Sequence, residues 1–511
     1  MLRYKHVVRM LQRRSYSVNQ AGSGSGPGND GDEDKHPIRR TLRLLGNDMR
    51  KVKEFFVPKE AVPEDSKDTI PTQSKFKFSG ERDRDYTLPD DFQTHCDVLV
   101  IGGGGLGSSV AYWLKEKARD GLNVVVVEKD ETFAKSATRV SVGGLCQQFS
   151  LPENIQMSLF AAEFLRNSKQ NFGSDVPIQF TPHGHLLLCK DEDAEALMRS
   201  SQLQNELGAR NELLTAERLA IRFPWLNTEG IALGCHGLEL EGWFNPLALL
   251  SNFRRSAAKN GAHFVNGEVV GFDFRAQSDM SVVAGSNEGS YNGLDKAVIR
   301  LADETKRTCK FALCVIAAGA DSGSVARIAQ IGVGPGMLQV PLPIDKRKRY
   351  LFAINTQAEN APGMGMPLTV DPSGTFIRRD GLGGNFICGH NSQDDSDSSV
   401  VDPEYFEEHI RPKLADRVPA LGDSKVVDSW AGFYEHNVYD ENGIVGAHPY
   451  YHNLYVATGF SGHGIQQSIA AGRAISELII DGQFRTIDLS RLTFDRLIVE
   501  RPIYEESQVL S

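Results

Sequence analysis

The chain has 511 residues, of which 40% are hydrophobic and 24% are charged, and its formal net charge at pH 7 is −10. This composition is typical of a globular protein long enough for two domains, and the acidic balance argues against general nucleic-acid binding. The sequence contains no uninterrupted apolar run of about 18 residues, the length that a membrane-spanning helix requires.

The N-terminal segment is basic and contains no acidic residue before Asp30. Its cations alternate with apolar residues at helical spacing, which is typical of a mitochondrial presequence. The run Arg14-Ser15-Tyr16-Ser17 is also typical of a matrix-protease cleavage site. We therefore predict a presequence at residues 1–16 and a location in the mitochondrial matrix, with a disordered basic tail as the alternative.

Residues 17–94 are predicted to be a linker with one basic amphipathic helix at 38–56. Polar stretches flank this segment on both sides. Its apolar residues recur at steps of four and three and so share one helical face: Ile38, Leu42, Leu45, Met49, Val52 and Phe56. Surrounding arginines and lysines favour peripheral contact with the inner membrane or docking on a partner. Packing on its own domain, or no stable helix, are the alternatives.

The folded part is predicted to begin near residue 95 with a dinucleotide-binding unit. Val98–Ile101 is a continuous apolar run, as a buried parallel strand requires, and Gly102, Gly104 and Gly107 then form a G-x-G-x-x-G motif before a helical pattern. These glycines allow backbone N–H groups to approach a diphosphate at a helix N-terminus. A second apolar strand ends in Glu128, which can accept the ribose hydroxyls of an adenosine and would repel a 2′-phosphate.

Two later stretches favour FAD over NAD. Residues 309–326 form another apolar strand followed by the small-residue turn 317–320, and residues 442–464 add a third glycine-rich piece. FAD-binding folds often return to the cofactor site far along the chain, so this recurrence indicates FAD.

From about residue 95 to about residue 483 the chain resembles the amino-acid-oxidase-like flavoprotein family, which includes monomeric sarcosine oxidase and the dimethylglycine and sarcosine dehydrogenases. The stretches KSATRVSVGGLCQQFSLPENIQ, EGWFNP, VIAAGA and GFSGHG carry this resemblance. The stretches FPWLNTEG, KRKRY and SWAGFYEHN are similar to a mitochondrial member that acts in the assembly of respiratory complex I. This resemblance implies complex I subunits or assembly intermediates as partners.

The resemblance implies an α/β fold with two domains. One is a discontinuous Rossmann-type FAD domain built from 95–180, 245–345 and 431–490. The other is a smaller α+β substrate-type domain with an antiparallel sheet, built from 181–244 and 346–430, and residues 491–511 form a C-terminal tail. The sequence itself predicts strands at 183–189 and 348–354 and a helix at 192–208.

The residues that would contact FAD are carried over from the family. N–H groups at the start of the helix after GFSGHG would face the flavin C2 carbonyl, where negative charge develops on reduction. The implied cofactor-binding residues are Gly102, Gly104, Gly105, Gly107, Glu128, Ser136, Thr138, Ser141, Gly143, Gly144, Val269, Gly319, Gly459, Gly462, His463 and Gly464.

Non-covalent FAD and no metal are expected. Covalent relatives use a histidine in the N-terminal segment, or a cysteine that matches 429–434. No histidine lies between His95 and His183, and 429–434 contains no cysteine. The seven cysteines of the chain also lack the spacing of a metal site.

The substrate side is less defined. Gln466 stands where sarcosine oxidases have a lysine that clamps the substrate carboxylate, so Arg378, Arg379 or Arg139 would have to replace that charge. Tyr434 and His436 are further pocket candidates. The catalytic residues are unknown, and the candidates are His463, Gln466, Arg378 and His390.

Two functions remain open. The chain is either an FAD-binding assembly factor of complex I or an active flavin-dependent dehydrogenase or oxidase of a secondary amine or N-methyl amino acid. The weakened carboxylate clamp favours the first and the intact cofactor motifs favour the second.

Overall fold

The computed structural model describes residues 92–173, 177–277, 291–391 and 398–506. The predicted presequence at 1–16 and the predicted helix at 38–56 lie outside these ranges. In the parts of the chain that are described, no helix is long and apolar enough to cross a membrane.

Helices and strands alternate through the first half of the described chain. Up to residue 173 they are β1 (His95–Ile101), α1 (Gly105–Ala118), β2 (Val124–Glu128), β3 (Gly144–Leu145), α2 (Pro152–Arg166) and α3 (Ser168–Phe172). Residues 177–277 contain β4 (His185–Cys189), α4 (Ala194–Leu207), β5 (Asn211–Thr215), α5 (Ala216–Arg222), β6 (Leu233–Gly237), β7 (Gly242–Trp243), α6 (Pro246–Lys259) and β8 (His263–Gln277).

Strands dominate the second half. Residues 291–391 contain β9 (Tyr291–Leu301), β10 (Lys306–Ile316), α7 (Ser322–Ile328), β11 (Ile344–Asn355), β12 (Leu368–Val370), β13 (Thr375–Arg379) and β14 (Asn385–Asn391). Residues 398–506 contain α8 (Arg411–Arg417), β15 (Lys425–Asn437), β16 (Ile444–Ala447), β17 (Leu454–Thr458), α9 (Gly464–Asp481) and α10 (Asp495–Ile498). The predicted strands at 183–189 and 348–354 and the predicted helix at 192–208 are confirmed within a few residues at their ends.

A seven-stranded sheet has β1 at its centre. β1 pairs in parallel with β2 and with β10, β2 pairs in parallel with β8, and β10 pairs in parallel with β17. β16 extends this row as an antiparallel strand beside β17, and β9 pairs antiparallel with both β8 and β10. The central parallel strands are apolar along Val98–Ile101, Val124–Val127 and Cys314–Ile316, because helices or other strands cover both faces there.

Alternate residues of β1 enter two different cores. Val98 and Val100 pack in the core formed with helices α1, α6 and α9. Leu99 and Ile101 pack on the opposite face, with residues of β9 and α7. This two-residue period follows from the pleat of the strand. On the helical face α9 approaches α1 so closely that a Cβ at Gly472 would lie 2.3 Å from Ser109 Oγ.

An eight-stranded sheet forms the second layer, in the order β15-β11-β14-β13-β12-β4-β6-β5. Its pairs are antiparallel except for β4 with β12. Its strands lie within 185–237 and 344–437, so β15 crosses the domain boundary predicted at residues 430 and 431. The fold is the mixed α/β architecture that the sequence analysis expects, and the predicted domain ranges stay a prediction.

Candidate functional site

A cavity of about 650 Å³ lies where β1, β2 and β10 end. The carboxyl ends of parallel strands are the usual ligand-binding edge of such a sheet, and the volume lies in the range of small-molecule sites. We call it the dinucleotide cavity. Ten of the predicted cofactor residues line it: Gly102, Gly104, Gly105, Glu128, Ser136, Thr138, Ser141, Gly319, Gly462 and Gly464.

The glycine-rich loop forms a cradle at the start of α1. Gly102 has a φ of +99°, and a Cβ there would lie 2.3 Å from the carbonyl oxygen of Ala317. A Cβ at Gly104, in contrast, meets only Thr138 Oγ1 at 3.9 Å. The space in front of Gly104 and the positive end of α1 therefore fit a diphosphate.

Glu128 is held at the tip of β2 by backbone hydrogen bonds. Gly103 N donates to its Oε2 at 2.7 Å, and Asp130 N donates to its Oε1 at 2.9 Å. Burial raises the pKa of Glu128, while these two N–H groups act in the opposite direction. The carboxylate is thereby fixed beside the loop, in the position expected for an acceptor of ribose hydroxyls.

Hydroxyls of the segment after Glu128 accept hydrogen bonds from the glycine-rich loop and from the segment itself. Gly105 N donates to Thr138 Oγ1 at 3.3 Å, and Gly143 N donates to Ser141 Oγ at 3.0 Å. Gly143 has a φ of +73°, and a Cβ there would lie 2.0 Å from the carbonyl oxygen of Phe244. The small residues of this segment therefore serve both the turn and the wall of the dinucleotide cavity.

The remaining predicted cofactor residues lie beside the dinucleotide cavity rather than on its wall. Gly107 packs against Gly102, and Gly459 packs against Ile344. The Val269 side chain is buried in the core; its neighbours Asn266, Gly267 and Glu268 line the cavity instead. Gly144 and His463 border a second, smaller cavity.

The second cavity, of about 90 Å³, adjoins the first and shares Ser141, Arg349, Gly462 and Ile465 with it. We call it the small cavity. Its wall comes from the segment after β2, from strands of the eight-stranded sheet and from the start of α9. Its other lining residues include Gly144, Cys146, His185, Phe376, His463 and Gln466.

Arg349, on β11, is the cation that the sequence analysis missed. Its guanidinium carbon lies 4.4 Å from the ring centroid of Tyr434 and 5.9 Å from that of Phe376. A Cβ at Gly462 would lie 2.8 Å from its Nη2, so the guanidinium lies against the GFSGHG turn. Arg349 therefore places a positive charge at the junction of the two cavities.

Two predicted catalytic candidates border the small cavity. Gln466 is 2% exposed, and its Oε1 accepts a hydrogen bond from Cys146 N at 2.9 Å. The His463 ring lies edge-on to Phe149, with ring centroids 4.9 Å apart. Gln466 thus holds the backbone of the opposite wall, a structural contact that the sequence analysis did not anticipate.

The other two candidates are engaged elsewhere. Arg378 donates from Nε to Val142 O and from Nη1 to Asp380 Oδ1, both at 2.9 Å. His390 Nε2 lies 3.0 Å from Ser373 O and 2.7 Å from Lys413 Nζ. The lining residues of the small cavity include neither side chain. Of these cations, Arg349 lines the small cavity, whereas Arg378 does not.

The other predicted substrate-side residues lie in different parts of the structure. Arg139 is exposed, and Arg379 donates to the carbonyl oxygens of Pro362, Leu382 and Gly383. Tyr434 lines the dinucleotide cavity. Burial lowers the pKa of His436, whose Nε2 lies 3.9 Å from Glu441 Oε1.

His185 and Cys146 are buried in the wall of the small cavity. Burial, assisted by the nearby His463, lowers the pKa of His185 to about 3, so the ring is neutral near pH 7. Its Nδ1 has no hydrogen-bond partner among the described residues. Burial raises the pKa of Cys146 to about 12, so the thiol stays protonated. Across the described ranges, no group of three or more metal-ligating side chains comes together.

Comparisons with known proteins agree with this geometry. Residues 97–478 match the family model described as FAD dependent oxidoreductase. The FAD-dependent oxidoreductase domain-containing protein 1 homolog of Drosophila melanogaster is 72% identical over 517 residues, with 100% of each chain covered. The FAD-dependent oxidoreductase domain-containing protein 1 of Xenopus laevis is 41% identical, covering 86% of this chain and 89% of its own.

Solved structures share the fold at low identity. The L-proline dehydrogenase of P. horikoshii superposes with a TM-score of 0.67 and 21% identity, covering 81% of this chain and 100% of its own. The glycine oxidase of Geobacillus kaustophilus gives a TM-score of 0.63 and 19% identity, covering 78% and 98%.

Proposed function

Because the chain belongs to the FAD-dependent oxidoreductase family, we propose that it is a mitochondrial FAD-dependent oxidoreductase required for the assembly of respiratory complex I. FAD is its cofactor, as in the rest of this family. The observation that carries the oxidoreductase part of the proposal is the small cavity, which adjoins the dinucleotide cavity at Arg349 and Gly462.

The residues of the dinucleotide cavity account for cofactor binding. N–H groups at the start of α1 would hold the diphosphate, and the Glu128 carboxylate would accept the ribose hydroxyls. The flavin, when bound, supplies a two-electron acceptor. The protein's own part is to bind this group and to place the small cavity beside it.

The small cavity is suited to a small molecule that carries a carboxylate. Arg349 offers the guanidinium, whose paired donors match a carboxylate. The protonated Cys146 adds no negative charge that would repel a carboxylate, and the neutral His185 adds no charge. Gln466 holds the wall through Cys146 N, so the cavity keeps its shape without a lysine at this position.

Sequence segments that do not line either cavity support the assembly part of the proposal. The basic, acid-free segment at 1–16 is typical of import into the mitochondrial matrix. The resemblance of the SWAGFYEHN and KRKRY stretches to a complex I assembly protein supports subunits or assembly intermediates of complex I as partners. The basic segment at 38–56 is suited to contact with the anionic inner-membrane surface.

Deletion of the gene tests the assembly role. Complex I, resolved on a native gel and quantified against complex III, is expected to fall on deletion and to return when the wild-type chain is expressed. A normal amount of complex I in the deletion strain would refute the role. Expression of the Gly104→Val chain in that strain then shows whether assembly needs bound FAD.

A second candidate function is the oxidation of a secondary amine or N-methyl amino acid, and the position of Arg349 favours it. Purified holoprotein would be mixed without oxygen with sarcosine, glycine, proline and matched amines that lack the carboxylate. Bleaching of the flavin by carboxylate-bearing compounds alone is expected. If no compound reduces the flavin, this second function is wrong.

A further inference from the structure

A buried carboxylate lies between the two glycine turns that close the dinucleotide cavity. Glu435, on β15, is 7% exposed and lines this cavity. A Cβ at Gly464 would lie 2.6 Å from its Oε1, and a Cβ at Gly319 would lie 3.7 Å from its Oε2. The carboxylate therefore sits directly against the first residue of α9.

The charge of the Glu435 carboxylate is opposite in sign to that of the helix end beside it. The start of α9 carries the positive end of an 18-residue helix. That end would stabilise the negative charge that develops on a flavin when it is reduced. A carboxylate beside the same helix end offsets part of this effect. Glutamine has nearly the same shape, so packing alone does not require an acid at position 435.

The other charged groups near Glu435 come from β11 and from the turn after β10. Lys346 is its register partner on β11, and Arg349 also lines the cavity. Asp321, after β10, also lines the wall, where it forms an ion pair with Lys129. Burial raises the pKa of Glu435, and the Arg349 guanidinium acts in the opposite direction. The Glu435 carboxyl therefore interacts with the positive charge at the junction of the two cavities.

We propose that Glu435 sets the reduction potential of the bound FAD by weakening the stabilisation that α9 gives to the reduced, negatively charged flavin. Reduction adds two electrons to FAD, and the product is an anion when one proton is taken up with them. A carboxylate near that anion raises its free energy, because like charges in a buried site repel strongly. The inference rests on FAD binding, and it requires neither the amine substrate nor the assembly role.

The potential of purified holoprotein would be measured by reductive titration with dithionite in the presence of a redox dye of known potential. Glu435→Gln is expected to favour reduction by about tenfold, which corresponds to about 30 mV for a two-electron couple. Glu435→Asp keeps the charge and is expected to stay near the wild-type potential. Glu441→Gln, a nearby carboxylate whose side chain is 45% exposed, serves as the matched control.

Every outcome of this comparison decides the point. An unchanged or lowered potential in Glu435→Gln would overturn the proposal. Loss of FAD from Glu435→Gln, with or without retention in Glu435→Asp, would also overturn it, because position 435 would then be needed for binding. Since the titration uses no amine and no complex I, its result is separate from the tests of the proposed function. A wild-type protein without flavin absorbance would instead refute the cofactor site.

Discussion

At the scale of the residue, three glycines of one motif have different physical roles. A Cβ at Gly102 would lie 2.3 Å from Ala317 O, and a Cβ at Gly107 would lie 1.8 Å from Gly102 O. Side chains at these two positions would move the backbone of the loop. At Gly104 the nearest atom would be 3.9 Å away, so a side chain there occupies ligand space instead.

Gly104→Val is therefore expected to abolish FAD binding while the fold remains. Visible flavin absorbance of the purified variant should be lost, and its far-UV circular dichroism should match that of the wild type. Gly121→Ala is the control, because a Cβ at Gly121 meets no atom within 4 Å and Gly121 is exposed. Retained flavin absorbance in Gly104→Val would contradict the site.

Arg349→Met is expected to weaken the binding of small carboxylates by well over tenfold. Loss of a desolvated partner of a carboxylate typically costs about 2–5 kcal/mol. The measurement is the concentration of acetate, or of an active substrate from the amine panel, that half-saturates the change in the flavin spectrum. Arg139→Met, at an exposed arginine, should leave this concentration unchanged. Equal carboxylate affinities in the two variants would show that Arg349 does not bind the carboxylate.

The sequence predicts Glu128 but not Arg349, for a physical reason. Glu128 follows directly on an apolar strand, so its place at the sheet edge is set by local pattern. Arg349 is the last of four successive cations on β11, Lys346 to Arg349. In a strand, alternate side chains lie on opposite faces, but a run of similar residues does not show which residue lies on which face. Only the pairing of β11 with β15 brings Arg349 to the cavities.

At the scale of the element, the C-terminal tail supplies the cap of α2. Leu151, the N-cap residue, offers no side-chain acceptor. Glu505 takes this role: its Oε2 accepts from Ser150 N at 2.5 Å and from Leu151 N at 3.2 Å. Its Oε1 accepts from Asn154 Nδ2 at 2.6 Å. Because α2 follows the wall segment of both cavities, the tail helps to fix that wall.

Glu505→Ala is expected to lower the free energy of unfolding by about 1–2 kcal/mol, the usual value of a helix cap together with a charge at the helix start. Urea unfolding of the holoprotein, followed by fluorescence, measures it. Glu506→Ala is the control from the same tail, because the Glu506 side chain forms an exposed pair with Arg199 at 3.1 Å and does not contact the start of α2. Equal losses in the two variants would exclude the capping role.

The elements differ in how far sequence predicts them. Apolar runs such as Val124–Val127 predict buried strands, since few other structures accept four successive valines. The pairing of those strands depends on contacts between residues far apart in sequence. The sequence therefore does not predict β9, whose alternation of apolar and polar residues is interrupted by charged residues. It also does not predict that β15 continues past residue 430.

At the scale of the whole molecule, one buried acid makes stability depend on pH. Glu241 is 0% exposed; its Oε1 accepts from Gln147 N at 2.9 Å and its Oε2 from Gln148 Nε2 at 2.8 Å. Burial raises its pKa from 4.5 to about 8. Between these values the native state holds a proton that the unfolded chain has released. Stability therefore falls as pH rises through this window.

Glu241→Gln is expected to flatten this part of the pH profile. A single titrating group contributes a slope of at most about 1.4 kcal/mol per pH unit. The free energy of unfolding, obtained from urea titrations at about pH 5.5 and about pH 7.5, should fall less between the two values in the variant. An identical difference in the variant and the wild type would show that Glu241 does not titrate in this range.

The order of strands in the seven-stranded sheet bears on how the chain matures. β1 lies beside β10, β10 lies beside β17, and α9 packs on α1, so the earliest and the latest parts of the described chain share one wall. A polypeptide that emerges N-terminus first from a ribosome has its adenosine-binding half before α9 is synthesised. A chain stopped before residue 444 lacks β16, β17 and α9. Incorporation of the yellow cofactor thus reports that synthesis has passed α9.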